Sequence, residues 1–337
     1  MCAEVSFFIF KMKRLLAYDM YKEENFMLLL ELLLLAIGFG LLVKGADWFV
    51  EGASGIADKF GIPQLVIGLT IVAMGTSAPE AAVSITAALK GNADITVGNV
   101  VGSNILNIFI ILGIASVITS IAVAKTTISY EIPIMLGVTV LLLACGMTGG
   151  TINFIEGVIM LVCFAGYIGY MFLMIKKGEM QAEEIEKTNA PIWKMLLMGV
   201  VGLGLIILGS DITVDAATAL AKAFGMSERF IGLTIVALGT SLPELFTSVM
   251  AAIKGKADIA IGNIVGSNIF NIIFVVGISA LIIPVTFASS FVIDCIVAIV
   301  AGVVLWVCTF KNKKLTRGGG IFMLLCYVAY FIYLLGM

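Results

Sequence analysis

The chain has 337 residues, of which 61% are hydrophobic and only 12% charged. Soluble domains carry roughly 25% charged residues, so this composition predicts an integral membrane protein. The net charge of −2 at pH 7 argues against a nucleic-acid-binding surface. Histidine is absent from the sequence, which excludes histidine–zinc sites, Ser-His catalytic triads and histidine proton relays. The six cysteines are scattered without paired spacing, and we interpret them as small hydrophobic residues rather than disulfides or thiolate ligands.

Ten apolar stretches are long enough to cross a bilayer, which takes about 20 residues. The first begins at Met27, after an N-terminal extension of residues 1–26. Two interpretations of the extension stay open: either Met27 is the native start, or residues 1–26 form a short amphipathic segment at the membrane interface. The predicted spans are 27–49, 63–89, 95–120, 128–148, 151–175, 192–222, 229–253, 259–284, 288–309 and 319–336.

The most polar connector, residues 176–191, divides these stretches into five and five. The predicted fold is therefore an all-α membrane protein of ten transmembrane helices, with residues 27–175 and 192–337 as its two five-helix halves. Basic residues mark the cytoplasmic side of a membrane protein, and an outside N-terminus places 13 of the 20 Lys and Arg residues in cytoplasmic loops. The loops favour this orientation, with 176–191 as a cytoplasmic linker, whereas the four basic residues of the N-terminal extension oppose it.

Two segments of 42 residues, 67–108 and 231–272, repeat one another at an offset of 164 without a gap, and 29 of the 42 positions are identical. A weaker match continues upstream and pairs Asp47 with Asp211. The second copy begins five helices after the first, so the two copies cross the membrane in opposite directions. Inverted repeats are typical of secondary transporters, whose site lies near mid-membrane where the repeats meet. A duplicated scaffold without a transport role would leave the repeated membrane carboxylates unexplained.

The phrases GTSAPE and GTSLPE occur once in each copy. Pro79 and Pro243 each lack an N–H and clash with the carbonyl four residues back, which belongs to Gly75 or Gly239. A freed carbonyl in hydrocarbon needs a neighbouring helix, a water or an ion. A simple kink is the alternative, but the surrounding Gly, Thr and Ser residues favour an opened turn that offers oxygens.

Polar side chains accompany each break at helical spacing. Their oxygen-only chemistry suits hard cations such as Ca²⁺ and Na⁺ and disfavours zinc or copper. Glu80 and Glu244 together supply a formal charge of −2, which balances one Ca²⁺ or two Na⁺, and protons compete for two carboxylates held close together. The polar stripes are Thr76, Glu80 and Ser84 with Asn99, Ser103 and Asn107 in the first copy, and Thr240, Glu244 and Ser248 with Asn263, Ser267 and Asn271 in the second.

The remaining acidic residues lie near predicted helix ends or lack a repeated polar neighbourhood. Asp47 and Asp211 are a repeat pair that could cap helices or line a vestibule. Asp94 and Asp258 are interpreted as helix caps in turns. We give a lesser role to these and to Glu31, Glu51, Glu131, Glu156, Asp215 and Asp294.

With both motifs present twice and in order, the chain resembles the sodium/calcium exchanger family of the cation/calcium antiporter superfamily. The G-T-S-x-P-E and G-N-x-x-G-S-N-I-x-N phrases are similar to the two alpha-repeats of that family. The resemblance implies a transporter rather than an enzyme, without a cofactor, that exchanges several Na⁺ for one Ca²⁺ by alternating access. It also implies electrogenic Ca²⁺ extrusion, with the first and sixth helices sliding across the others. The ion ligands that it implies are Glu80, Glu244, Thr76, Thr240, Ser77, Ser241, Asn107, Asn271, Ser103, Ser267, Ala73 and Ala237.

Three residues discriminate within the superfamily: Asn271 argues against potassium coupling, and Gly102 and Gly266 argue for sodium over protons. Potassium-dependent relatives carry an acidic residue where this chain has Asn271. Proton/calcium exchangers carry Glu in a G-N-x-x-E variant, where this chain has Gly102 and Gly266. The resemblance therefore favours sodium as the driving ion, with protons as competitors.

A Ca²⁺/H⁺ antiporter that uses the same two glutamates is the alternative function, and a passive cation channel is a weaker one. An intramembrane enzyme is disfavoured because no H-E-x-x-H or G-x-S-x-G motif is present. We expect a multi-pass protein of a prokaryotic-type cell membrane whose partners are Ca²⁺, Na⁺ and lipid, with no nucleic acid and no obligatory protein partner.

Overall fold

The computed structural model describes residues 2–91, 93–177, 191–225 and 237–336, with side chains from Met27 onward except at 94, 177, 237, 335 and 336. Most of the predicted linker 176–191 and residues 231–236 of the second repeat copy lie outside the described residues. The helices, in chain order, are α1 (Cys2–Phe60), α2 (Gln64–Thr76), α3 (Ala78–Leu89), α4 (Ile95–Ile118), α5 (Thr127–Met147), α6 (Phe154–Lys177), α7 (Ile192–Ala223), α8 (Leu242–Ile253), α9 (Ala257–Ile282), α10 (Ser290–Phe310) and α11 (Arg317–Gly336).

Within the described residues, eight helices are long and apolar enough to span a membrane, and the bent pair of α2 and α3 makes a ninth span. The all-α membrane class is confirmed. The seventh predicted span, 229–253, includes residues outside the described part of the chain. What is described of it is the turn Ala237–Gly239 and the 12-residue helix α8.

The centre of the molecule is formed by α4 and α9. Of their most apolar stretches, 72% and 83% of the residues are buried, against 11% in α1 and in α11. The polar residues of the repeat copies therefore lie in the interior, and the outer helices present apolar side chains to the surface, as expected in a bilayer.

The helix is interrupted at the first repeated proline phrase, GTSAPE. Helix α2 ends at Thr76 and α3 begins at Ala78, with a bend of 49° between them. Ser77 forms the junction, and Pro79 occupies the first turn of α3, where its missing N–H would have had no intrahelical partner. The opened turn predicted from the sequence is confirmed. The proline starts a new helix rather than kinking a continuous one.

The second phrase has the same local structure. Ser241 lies before α8 with nearly the same backbone angles as Ser77, and Pro243 occupies the first turn of α8. The carbonyl of Gly239, which Pro243 cannot pair, accepts a hydrogen bond of 2.8 Å from the hydroxyl of Ser210 on α7. A neighbouring helix thus satisfies the freed carbonyl, as the membrane environment requires.

Both central helices widen into π-helical turns, at Asn107–Leu112 in α4 and at Asn271–Val276 in α9. Such turns are uncommon and often mark functional sites. Each one begins at an asparagine that was predicted as an ion ligand. The hydrophobic pattern of the sequence did not predict this widening.

Helices α1 and α7 pack against each other along glycines. Gly38, Gly45 and Gly52 recur every seven residues on α1. A Cβ atom on Gly45 would lie 2.8 Å from the carbonyl oxygen of Gly202, and one on Gly202 would lie 2.5 Å from the main-chain nitrogen of Phe49. No side chain fits at such distances, so the two backbones approach as closely as in other glycine-mediated membrane helix pairs.

Four two-residue strands join the loops at the helix ends. They are β1 (Ile121–Ala122), β2 (Thr151–Ile152), β3 (Val285–Thr286) and β4 (Lys314–Leu315). Strand β1 pairs with β4 and β2 pairs with β3, both antiparallel. Each pair therefore links a loop of the first half of the chain to a loop of the second.

Candidate cation site

The two repeated glutamates lie in the first turns of α3 and α8. Each is only 1% exposed. The helix breaks place two helix N-termini in the interior, and the N-terminal end of a helix favours negative charge. The sequence thus positions two carboxylates in the protein interior, at helix N-termini where the backbone stabilises them.

Crossed hydrogen bonds bring the two glutamates together. The hydroxyl of Ser77 donates to Oε1 of Glu244 at 2.7 Å, and the hydroxyl of Ser241 donates to Oε1 of Glu80 at 3.4 Å. Each serine belongs to one repeat copy and bonds the carboxylate of the other. The hydroxyl of Ser267 lies 3.5 Å from Oε1 of Glu244 as well. The two proline phrases therefore form one cluster.

Four buried oxygen atoms of this region have no hydrogen-bond partner in the described structure: Oε2 of Glu80 and of Glu244, and Oδ1 of Asn107 and of Asn271. Buried polar atoms are almost always paired, and leaving them unpaired is costly. All four atoms are acceptors, so a cation would satisfy them. Among the described residues no group of three or more Asp, Glu or Cys could hold a metal, and a cation site here depends on two carboxylates and on neutral oxygens.

The helices that carry the glutamates are fixed by two equivalent asparagines. The amide nitrogen of Asn99 donates to the main-chain oxygen of Glu80 at 3.2 Å and to Oγ of Ser84 at 2.9 Å. In the second copy Asn263 donates to the main-chain oxygen of Glu244 at 3.4 Å and to Oγ of Ser248 at 2.9 Å. These members of the predicted polar stripes tie α4 to α3 and α9 to α8.

The other predicted ligands are less evenly placed. Thr76 is fully buried and lies 3.0 Å from Oδ1 of Asn263 and 3.4 Å from the carbonyl oxygen of Ala73, whereas Thr240 is partly exposed. The Ala73 oxygen also lies 3.4 Å from the hydroxyl of Ser267. Ser103 is buried but, unlike Ser267, makes no hydrogen bond to either glutamate. For Ala237 the structure describes only its place in the short turn before α8.

Asn104 and Asn268 were missed as site residues. The amide nitrogen of each donates to the main-chain oxygen of the other at 3.1 Å. Their Oδ1 atoms accept from the amides of Asn271, at 3.2 Å, and of Asn107, at 2.9 Å. The signal was available, because both belong to the repeated phrase GSN and each lies three residues before a predicted ligand.

Two cavities lie beside the repeated acidic residues of α1 and α7. A cavity of about 620 Å³ is lined by Pro79, Val83, Thr240, Asp211 and Asp215. Of the residues at the matching repeat positions, Pro243, Thr76 and Thr247 are buried, whereas Asp47 and Glu51 line a separate cavity of about 540 Å³. Two nearly identical motifs therefore have different surroundings on the two faces of the site.

Glu131 is more deeply buried than its place near a predicted helix end indicated. It is fully buried on α5, where its Oε1 accepts a hydrogen bond of 2.7 Å from the hydroxyl of Tyr170. Asp294 on α10 accepts a similar bond of 2.8 Å from Tyr330. Neither carboxylate bonds a predicted ion ligand, so they lie outside the cluster around Glu80 and Glu244.

Comparisons with known proteins agree with this geometry. A family model described as sodium/calcium exchanger protein matches residues 30–173 and 194–336. Inner membrane protein YrbG of Escherichia coli strain K12 is 35% identical over 88% of this chain and 94% of its own length. Sodium/calcium exchanger MaX1 of Methanosarcina acetivorans is 30% identical over 91% of this chain and 99% of its own length.

Solved structures give the same result. The chain superimposes on the sodium-calcium exchanger NCX_Mj, in crystals soaked with zero Na⁺ and Ca²⁺, with a TM-score of 0.79 and 31% identity over 91% of this chain and 99% of the other. The chain is therefore similar to this exchanger in both sequence and fold along almost its whole length. The chain belongs to the sodium/calcium exchanger family, whose members are membrane cation/calcium antiporters and not enzymes.

Proposed function

We propose that the protein exchanges Na⁺ for Ca²⁺ by alternating access, at a site shared by Glu80 and Glu244. The observation that carries the proposal is the pair of buried carboxylates, each bonded through one oxygen by a serine of the opposite repeat copy and each with its second oxygen unpaired. Two carboxylates carry the formal charge that one Ca²⁺ neutralises.

The neutral oxygens complete the proposed ligand set. Ca²⁺ takes six to eight oxygen ligands, which two carboxylates cannot supply alone. We assign the rest to hydroxyl, amide and main-chain oxygens. Several Na⁺ ions can use the same oxygens, and more than two Na⁺ for one Ca²⁺ makes the exchange electrogenic. The neutral ligands in this proposal are Thr76, Thr240, Ser77, Ser241, Asn107, Asn271, Ser103, Ser267, Ala73 and Ala237.

Sodium is favoured over protons as the driving ion by the space around Gly266. A Cβ atom there would lie 2.5 Å from the carbonyl oxygen of Leu69 and 2.8 Å from Cβ of Ala73. The glutamate of the G-N-x-x-E variant therefore does not fit at Gly266 without moving α2. Around Gly102, by contrast, nothing lies within 4 Å of such an atom.

The proposed architecture is two inverted five-helix repeats with ten transmembrane helices, an outside N-terminus and a cytoplasmic linker. It is supported by the reciprocal bonds between Asn104 and Asn268 and by the crossed bonds of Ser77 and Ser241. Contacts in which each copy makes the same bond to the other are typical of a two-fold arrangement. In this orientation the protein extrudes Ca²⁺ from a prokaryotic-type cell with inward Na⁺.

The decisive experiment measures ⁴⁵Ca²⁺ uptake into vesicles that contain the purified protein. An outward Na⁺ gradient should drive uptake, and a pH gradient without Na⁺ should not. Uptake with the pH gradient and none with Na⁺ would establish the Ca²⁺/H⁺ alternative. Uptake that needs neither counter-ion would establish a passive channel.

A further inference from the structure

Four buried asparagines are linked in a row by hydrogen bonds where α4 and α9 meet. In order along the row they are Asn107, Asn268, Asn104 and Asn271. Asn104 and Asn268 bond each other's main-chain oxygens. They also accept the amide groups of the two proposed ligands, Asn271 and Asn107. The Oδ1 atoms of these two ligands have no partner.

The orientation of the four side-chain amides follows from one constraint. A main-chain carbonyl oxygen can only accept a hydrogen bond. The side chain of Asn268 must therefore turn its NH₂ group towards the Asn104 carbonyl, which leaves its Oδ1 as an acceptor. Asn107 can bond that oxygen only through its own NH₂ group, so its Oδ1 faces away. By the same argument, the main-chain oxygen of Asn268 fixes the NH₂ group of Asn104, and Oδ1 of Asn104 then fixes the NH₂ group of Asn271.

We infer that Asn104 and Asn268 are positioning residues, which turn the oxygens of Asn271 and Asn107 towards the cation. Without them either ligand amide could rotate by half a turn and present two N–H donors to the ion. A donor repels a cation, so the rotated amide would destroy the ligand. The inference rests on the proposed function, because it assigns Asn107 and Asn271 to a cation site.

A double-mutant experiment separates positioning from packing. Asn104→Ala should weaken equilibrium ⁴⁵Ca²⁺ binding to the purified protein by about tenfold, since hydrogen bonds to charged sites are strong. In an Asn271→Asp background the same change should cost little, because both oxygens of a carboxylate are acceptors and need no orientation. In an Asn107→Asp background it should keep its full cost, because Asn104 orients Asn271 and not Asn107.

An equal cost of Asn104→Ala in all three backgrounds would overturn the inference and indicate a packing role. If Asn104→Ala does not fold, the mirror set serves: Asn268→Ala, with Asn107→Asp as the rescuing background and Asn271→Asp as the control. Failure of the proposed function has a different signature, since wild-type protein would then bind Ca²⁺ without Na⁺-driven uptake, or would not bind it.

A different observation concerns the charged residues at the edge of the site. Lys254, which ends α8, has its Nζ atom 2.6 Å from Oδ1 of Asp47 and 3.5 Å from Oε2 of Glu51, both on α1. It also donates to the main-chain oxygen of Asp47 at 3.1 Å. Lys44 contacts the same carboxylate at 2.7 Å. Lys254 thus connects the repeat core to α1.

The repeat offset of 164 gives this arrangement a counterpart. Asp211 and Asp215 on α7 correspond to Asp47 and Glu51, and Lys90 at the end of α3 corresponds to Lys254. Within the described chain Lys90 and Asp211 are not paired, and the cavity of about 620 Å³ lies beside Asp211. A second cavity of about 460 Å³ lies beside Lys90. Both repeat copies therefore carry a lysine and two acidic residues at equivalent positions, but of the two lysines only Lys254 is paired with its aspartate in the described structure.

We also propose that Lys254–Asp47 and Lys90–Asp211 are two alternating ion-pair latches, one for each side of the site. Movement of the α1–α7 pair across the core would bring Lys90 to Asp211 as it separates Lys254 from Asp47. This proposal rests on alternating access, but it does not depend on which cation drives the exchange.

Paired cysteines test the latches directly. In a background without native cysteines, Asp47→Cys with Lys254→Cys, and Asp211→Cys with Lys90→Cys, should both be joined by a short reducible thiol-specific cross-linker. Each link should arrest transport, and reduction should restore it. The mismatched pair Asp47→Cys with Lys90→Cys should not react.

Cross-linking at 47 and 254 alone, with no reaction at 90 and 211 in either Na⁺ or Ca²⁺, would overturn the latch proposal. Links that form at both pairs without arresting transport would also overturn it. The yield of each link is measured independently of uptake, so a failure of Na⁺-driven exchange is recognised separately.

Discussion

In the candidate cation site, α4 and α9 are joined by hydrogen bonds between buried asparagines, whereas α1 and α7 are joined by close main-chain contacts at glycines. The hydrogen bonds are directional and hold one arrangement. The glycine contacts make α1 and α7 a tight pair of their own. The side-chain bonds described between this pair and the other helices are few: Lys254 to Asp47 and Glu51 of α1, Gln64 of α2 to Ser54 and Asp58 of α1, and Ser210 of α7 to the main-chain oxygen of Gly239. The alternating access proposed above requires the α1–α7 pair to move past a site that keeps its own arrangement.

The largest effect, a loss of Ca²⁺ transport, is expected from changes to the two carboxylates of the candidate site. Glu80→Gln and Glu244→Gln should each lower Ca²⁺ transport by about 100-fold or more, because losing one partner of a buried charge cluster costs about 2–5 kcal/mol. Vesicle uptake measures the loss, and size-exclusion chromatography checks folding. Glu156→Gln, at a partly exposed carboxylate that bonds Thr148 near the start of α6, is the matched control and should transport normally. Wild-type exchange in either glutamate variant would place the site elsewhere.

The glycine contacts come next. Gly45→Ala and Gly202→Ala should each lower the stability of the purified protein by about 1–3 kcal/mol, because the added Cβ overpacks the contact between α1 and α7. Thermal unfolding in detergent measures this loss. Gly40→Ala and Gly204→Ala are the controls on the same helices, since nothing lies within 4 Å of a Cβ at either position. Equal melting temperatures for all four variants would contradict the close packing.

A smaller effect is expected at a neutral ligand. Asn271→Asp should change the preference among Na⁺, Ca²⁺ and H⁺, or the pH dependence of transport, rather than abolish exchange, because it adds a third carboxylate to the cluster. Competition between cations for ⁴⁵Ca²⁺ uptake at several pH values measures the change. Unaltered selectivity together with an unaltered pH profile would remove Asn271 from the site.

The smallest effect is expected at the hydrogen bond from Ser210 of α7 to the main-chain oxygen of Gly239, just before α8. Ser210→Ala should destabilise the protein by about 1 kcal/mol, the usual value of one hydrogen bond, since it leaves the Gly239 carbonyl without its donor. Ser279→Ala is the control, because the buried Ser279 hydroxyl has no partner to lose. A Ser210→Ala variant as stable as Ser279→Ala would show that another group satisfies Gly239.

Local chemistry made part of this structure predictable. The break at Pro79 follows from its missing N–H, and the repeated spacing identified Glu80 and Glu244 as a pair. The crossed serine bonds agree with the expectation that both proline phrases meet. Each of these features depends on residues close in sequence or on the exact repeat.

The features that were not predicted depend on contacts between distant residues. Asn104 and Asn268 lie 164 positions apart, and spacing within one helix does not show that they bond each other's backbone. Asp47 was expected to cap a helix or line a vestibule; it lines a cavity of about 540 Å³, but its ion pair with Lys254 was not predicted. The different packing of the two proline phrases was beyond sequence reasoning for a further reason: two nearly identical copies do not indicate that Pro79 is partly exposed and Pro243 buried.

The two small sheets have a consequence for how the protein is made. Strands β1 and β2 come from the first half of the chain, and their partners β4 and β3 come from the second. During synthesis the first half must therefore wait with unpaired strands until the ribosome has delivered residues beyond Val285. The same holds for Asn104, whose partner Asn268 is also synthesised late. The two halves are thus not independent folding units, and assembly is completed only when nearly the whole chain has entered the membrane.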